Sequence, residues 1–181
     1  MHHRMKESSH SSAHIPQSGR FHRWQDYLPL LILLGVTALA AVAKNRVYGP
    51  ATGALHGMHD FMGFFLVIFA MLKLFDLPGF ADGFQMYDLL AKPLRPYALL
   101  YPFIELALGL GYIAEWRPAV LYPATVLVMG FGAAGVFRSL SRGLDLQCAC
   151  MGNILKVPLS SVALTEDLGM AAMAGFMWLR L

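Results

Sequence analysis

The chain has 181 residues, of which 57% are hydrophobic and only 14% charged, with a formal net charge of +3. Soluble domains carry about 25% charged and about 45–50% apolar residues. Here the apolar residues also gather into runs long enough to cross a bilayer, which takes about 20 residues as helix. An ordinary soluble domain is excluded. Lys and Arg fall between the runs, where they set topology rather than a nucleic-acid surface, and two cysteines exclude a disulfide-rich scaffold.

Residues 1–25 are polar and rich in His and Ser, lack the apolar periodicity of a packed core, and read as a disordered cytoplasmic tail. The first apolar run, Tyr27 to Ala43, defines an N-terminal transmembrane helix over 26–44. Arg20 and Arg23 precede it and Ala41-Val42-Ala43 ends it, a pattern shared by signal peptides and signal anchors. The preceding tail is long for a signal peptide, which favours an uncleaved anchor. Run two spans about Met58 to Phe80 and carries Asp60, Lys73 and Asp76. An amphipathic connector follows over 81–96. Run three, Tyr97 to Ala114, contains Glu105, and run four, Pro118 to Phe137, holds no charge. Run five starts near Ser160, with Glu166 and Asp167 in its first turns; a start at Thr165 as helix cap would leave only about 21 Å of helix. The expectation is an all-α, multi-pass transmembrane helical bundle of five spans. Lys and Arg are more frequent on the side holding the N-terminal tail, the connector and the segment after run four, so that side is expected to face the cytoplasm.

The residues that carry chemistry are few. Gln147-Cys148-Ala149-Cys150-Met151-Gly152 holds both cysteines in a polar break between runs four and five, within a loop at 138–158. A disulfide between residues one apart closes a small strained ring, which is reducible and suited to exchange. Two adjacent thiolates also suit a soft ion such as Cu(I), with Met151 as a third ligand beside Cys148 and Cys150. The pair alone leaves redox and metal roles open. Glu105 lies about 12 Å along run three, and an ionisable group at that depth marks a function or an interhelical pair. Lys73 and Asp76 share a helix face, which suits either an interfacial ion pair or a cation that stabilises a thiolate, as Arg138 and Arg142 beside the cysteines could. His56, His59 and Asp60 have spacing compatible with a weak metal site, but an interfacial helix cap accounts for them better. Gly130-Phe131-Gly132-Ala133-Ala134-Gly135 matches a dinucleotide fingerprint only as a string; inside an uncharged span its small residues serve helix packing.

Taken together these residues resemble the MauE family, named for methylamine utilisation, within the wider DoxX-like membrane proteins. The likeness rests on Gly63 with Lys73, Leu74 and Asp76, on Tyr101-Pro102-Phe103-Ile104-Glu105-Leu106, and on Arg142-Gly143-Leu144-Asp145-Leu146-Gln147-Cys148-Ala149-Cys150-Met151-Gly152. It implies a DoxX-like four-helix core over 57–181 behind one N-terminal helix, in a bacterial inner membrane. It also implies thiol-disulfide support for maturation of an exported, methylamine-dehydrogenase-like partner, through a thioredoxin-like or exported redox protein. Cys148 and Cys150 would then be the redox pair, and Lys73 and Glu105 the family's intramembrane polar positions. Ala149 and Met151 depart from the family's usual glycine and aromatic residue, and Glu166-Asp167 from a basic-amide pair. One cysteine pair on one membrane face cannot carry electrons across a bilayer, so this reading calls for a quinone, a second protein or movement of the loop. A soft-metal (Cu or Hg) carrier and a non-redox assembly factor docking through 81–96 are the competing expectations.

Overall fold

The computed structural model describes residues 28–48, 53–141 and 159–181. The tail at 1–25 and most of the cysteine loop, Cys148, Cys150 and Met151 included, lie outside the described residues. The described chain is all-helical: α1 (Leu28–Tyr48), α2 (Gly53–Phe75), α3 (Leu77–Tyr87), α4 (Arg95–Ile113), α5 (Pro118–Leu140) and α6 (Leu159–Trp178). Four of these, α1, α2, α4 and α5, are long and apolar enough to cross a membrane. The expected fifth span, α6, has 20 residues, about 30 Å of helix, and packs along α5. The chain is therefore a multi-pass membrane helical bundle.

The expected run two is two helices. α2 stops at Phe75 because Asp76 turns the chain and caps α3: its Oδ1 accepts from the Gly79 amide at 3.1 Å, and Pro78 follows in the first turn. Proline suits that position, since its missing N–H would have no helical partner there. Residues 81–87, expected in an amphipathic connector, belong to α3. Phe80, Ala81 and Phe84 bury their side chains against Ala98 and Tyr101 of α4 and Val136 of α5. Part of the connector's apolar surface is thus buried inside the protein, while Met86, Leu89, Leu90 and Leu94 stay exposed. Asp88 ends α3 fully buried, its Oδ1 accepting from the Leu90 and Ala91 amides, both at 2.8 Å. α6 begins at Leu159, so Glu166 and Asp167 lie in its second and third turns rather than at a cap formed by Thr165.

α2 and α4 run antiparallel and close, and glycine sets their separation. A Cβ on Gly109 would fall 2.8 Å from the Val67 backbone nitrogen, and one on Gly63 would fall 2.9 Å from the Ile113 side chain. Small residues at such crossings let helix backbones approach where lipid supplies no hydrophobic drive. On α5, Gly132 gives room to Asp167 of α6, whose Oδ2 would lie 2.7 Å from a Cβ, whereas Gly130 faces open space. The main apolar core, including Met62, Phe65, Leu66, Phe69, Leu108, Tyr112 and Met129, fills the space between α2, α4 and α5.

Two outcomes are expected. Gly109→Ala pushes α2 from α4 and lowers stability by about 1–3 kcal/mol, as overpacking does, while Gly130→Ala leaves thermal unfolding in detergent unchanged or slightly raised. Burial pushes the Asp88 carboxyl above the usual aspartate range, with the backbone amides of Ala91, Leu90 and Leu89 opposing. A raised folded value means its stabilisation is complete below the unfolded value of 3.8 and is lost as pH rises through the folded one. Asp88→Asn therefore removes that loss and is at least as stable as the parent at neutral pH, whereas Asp88→Ala, losing both backbone bonds, is about 1–2 kcal/mol less stable in the same melts.

Candidate functional site

The chemistry of the described residues concentrates in two polar knots at opposite ends of an apolar bundle. The first is built from α2, α4 and α6. Lys73, in the last turn of α2, sends its Nζ inward to Glu105 Oε2 at 2.6 Å and to Glu166 Oε1 at 3.2 Å. All three side chains are buried, Glu105 completely. Lys73 therefore does not reach out to the membrane interface, and Asp76, committed to the α3 cap, is not its partner. An amine held among hydrocarbon residues is stable as an ion only with carboxylates at contact distance. Here two helices each supply one.

Aromatic rings close the site. The Lys73 Nζ lies 5.4 Å from the Tyr101 ring centroid and 5.8 Å from that of Phe80. Phe84 packs 4.6 Å from Tyr101, whose hydroxyl approaches the Met129 sulfur at 3.9 Å. Asp167 is buried one residue beyond Glu166, against α5 at Gly132. Two carboxyl groups thus contact one ammonium with a third acid buried nearby, and Glu105 Oε1 has no hydrogen-bond partner among the described residues. Burying that many acids fully ionised would leave uncompensated charge, which costs several kcal/mol per ion.

This knot lies toward the end of the bundle where α5 stops at Leu140 and α6 starts at Leu159, the two helices that bracket the segment carrying Cys148 and Cys150. Arg138 is exposed in the last turn of α5. Lys73 and Glu105, chosen separately from the sequence, are brought into contact. In the sequence their third partner, Glu166, stands out as a helix-start acid and as a departure from the family's basic-amide pair, not as a partner of Lys73. The available signal was stoichiometric: the apolar runs hold one deep lysine and more acids than it can pair.

The second knot ties the other end. Lys44 of α1 contacts Asp60 Oδ1 of α2 at 2.7 Å, donates to the Ile113 carbonyl at 3.2 Å and lies 3.6 Å from Glu115 Oε1. His59 is buried, with Nδ1 3.1 Å from the Tyr122 hydroxyl and Nε2 2.8 Å from the Tyr112 carbonyl. His59 and Asp60 are thus interior links between helices, not an interfacial cap. No group of three or more His, Cys, Asp or Glu side chains placed to hold a metal occurs among the described residues. Glu115 and Arg117, in the short α4–α5 turn, adopt positive φ values of 53° and 30°. Such left-handed backbone is unfavourable for residues other than glycine, and Lys44 helps to hold it.

Lys73→Met leaves two buried carboxylates without their cation and is expected to lower stability by about 3–5 kcal/mol. Adding Glu105→Leu restores part of that loss, so a double-mutant cycle read by unfolding in mixed micelles gives a coupling well above the ~1 kcal/mol of an exposed pair.

Comparison with curated proteins and with solved structures gave no match. The family model described as "Methylamine utilisation protein MauE" matches residues 51–180, from just before α2 to the end of α6. With that match covering most of its length, and with the deep Lys73–Glu105 pair lying inside it, the chain belongs to the MauE family.

Proposed function

We propose that this protein supports thiol-disulfide chemistry for an exported partner in methylamine utilisation, from the bacterial inner membrane, using Cys148 and Cys150 as the exchanging pair. The observation that carries this reading is the buried Lys73–Glu105–Glu166 cluster, with Asp167 beside it, near the helix ends that bracket the cysteine segment. Thiol chemistry moves protons with electrons, and a carboxyl-rich cluster in a water-poor bundle gives those protons a place to reside. With the cysteine segment expected on the cytoplasmic side, the dithiol that reduces the Cys148–Cys150 disulfide belongs to a second, thioredoxin-like protein that relays it: the S–S bond of the pair breaks, one forms in the relay, and two electrons and two protons pass to Cys148 and Cys150. The relay leaves oxidised and hands its disulfide to the exported subunit on the other side.

Lys73 is engaged by Glu105 and Glu166, so its role is to keep acid groups inside the bundle. The cation that favours a thiolate is then Arg138, exposed at the end of α5, together with Arg142. The family description, methylamine utilisation, supplies the physiological setting.

Single Cys148→Ser and Cys150→Ser variants are expected to trap a partner as a mixed disulfide, seen as a reductant-sensitive band on non-reducing gels and absent from the double variant. Stoichiometric Cu(I) or Hg(II) in the purified protein, lost in Cys148→Ser and without any mixed disulfide, would replace redox exchange with metal binding. Full support of partner maturation by the double Ser variant would leave an assembly role.

A further inference from the structure

Three oxygens at the end of the bundle where α5 stops have no hydrogen-bond partner among the described residues: Glu105 Oε1, Asp88 Oδ2 and Ser139 Oγ. Each belongs to a residue more than nine-tenths buried. A buried oxygen in that state is costly unless ordered water completes its bonding. The three are not scattered. Asp88 closes α3 next to Leu89 and Leu90, both exposed, which places its carboxyl at the rim of the buried region. Ser139 sits in the last turn of α5, on a buried face that it shares with Gly135 and Gly132. Those positions follow one turn apart, so backbone without side chains leads from Ser139 inward to Gly132, where Asp167 of α6 is packed. The separation along the axis is about 10.5 Å, which a short file of waters bridges at about 2.8 Å per hydrogen bond. Tyr97, half-buried in the first turn of α4, joins the two acids: the charges of Asp88 and Asp167 both act on its hydroxyl. Asp167 adjoins Glu166 in sequence, and Glu166 and Glu105 meet at the Lys73 Nζ.

Charge balance says what travels along this line. Glu105, Glu166 and Asp167 have Lys73 as the one basic side chain buried at their end among the described residues. Carboxyl groups in excess of the ammonium are tolerated in an apolar bundle with a proton bound, and the described side chains include no group placed to hold a metal ion instead. Beyond Glu105 the line stops: Met62, Leu66, Leu108 and Met129 offer no polar step toward the Lys44 knot. We propose that Asp88, Tyr97, Ser139 and Asp167, with enclosed water, form a proton inlet that joins the Lys73 cluster to the membrane face where α5 ends and α6 begins, and to that face alone. Enclosed waters hand a proton along their hydrogen bonds without admitting hydrated salt ions. The use of the inlet rests on the thiol reading, since it refills the cluster on the side of the cysteine segment; its existence does not.

Deuterium exchange at the carboxyl groups reads the inlet directly. Full-length protein in phosphatidylcholine nanodiscs is mixed with heavy water at neutral pH, and the C=O stretch of protonated carboxyl groups is followed by infrared spectroscopy. The parent is expected to show such a band, weakened in Asp167→Asn, and to shift it on deuteration. Asp88→Asn keeps the oxygen that accepts from the Leu90 and Ala91 amides but cannot relay a proton. It is expected to retain part of the band and to slow its shift at least tenfold. Ser139→Ala slows it likewise, and Ser139→Thr restores the parent rate. Glu115→Gln, at the opposite end, exchanges as the parent does. Lost fold does not mimic the result, because misfolding admits water and speeds the exchange. Absence of any protonated-carboxyl band, parent-like exchange in both Asp88→Asn and Ser139→Ala, or equal slowing by Glu115→Gln would overturn the inlet. Cys148→Ser/Cys150→Ser protein exchanges at the parent rate even if the cysteines prove inert, so failure of the thiol reading is distinguishable.

Discussion

An ammonium group surrounded by hydrocarbon survives as an ion only where carboxylates are held against it, and the architecture of this bundle follows from meeting that condition at Lys73. The lysine comes from α2, the carboxylates from α4 and α6. Sliding any one of these helices by a single turn, about 5.4 Å, would separate the charges and leave them buried and unpaired. The pair therefore fixes the relative height of three helices that apolar packing alone would leave free to slide. The Gly63 and Gly109 contacts then set how closely two of them approach.

At the other end, the same device is used with less burial. Lys44 joins α1 to α2 through Asp60 and reaches the α4–α5 turn through Glu115 and the Ile113 carbonyl, while His59 links α2 to α4 and α5. The middle is filled by side chains such as Met62, Leu66, Leu108 and Met129, which specify volume but not register. Polar contacts at two heights and neutral packing between them give a bundle whose helix order and offset are decided by a handful of charged residues. The two ends differ in consequence. The contact of Lys44 with Glu115 is part-exposed and modest in energy, whereas the contacts of Lys73 are buried and intolerant of change.

Much of the fold was legible because its strongest signals are one-dimensional. Long uncharged runs announce helices, and the depth of Glu105 follows from counting residues along one of them. The errors arose where tertiary partners decide. Asp76 looked like a partner for Lys73 because i, i+3 spacing places both on one helix face, but the helix does not continue past Phe75. Its true role, capping α3, was masked by the apolar residues on either side, which made two helices look like one span. Residues 81–87 read as connector rather than helix because amphipathicity does not say whether an apolar face meets a partner or, as for Ala81 and Phe84, the protein itself. His59 and Asp60 looked interfacial because hydropathy cannot show that Tyr122 and Lys44 come from other helices to meet them. Glu166 was visible as a residue and invisible as a partner, since 93 positions separate it from Lys73.

The placement of α3 has a further consequence for the site it covers. Phe80 and Phe84 arrive with α3, stack on each other at 5.1 Å, and flank Tyr101 beside the ammonium of Lys73. They act as electrical insulation. Dissolved ions screen exposed charges over about 8–10 Å at ordinary ionic strength, but only where water can carry them. Behind this aromatic wall the attraction between Lys73 and its carboxylates keeps the same strength in dilute buffer and in concentrated salt. At the opposite end the looser contact of Lys44 with the exposed Glu115 weakens as salt is added. One membrane protein thus holds two charge networks, of which only one responds to the ionic composition of its surroundings.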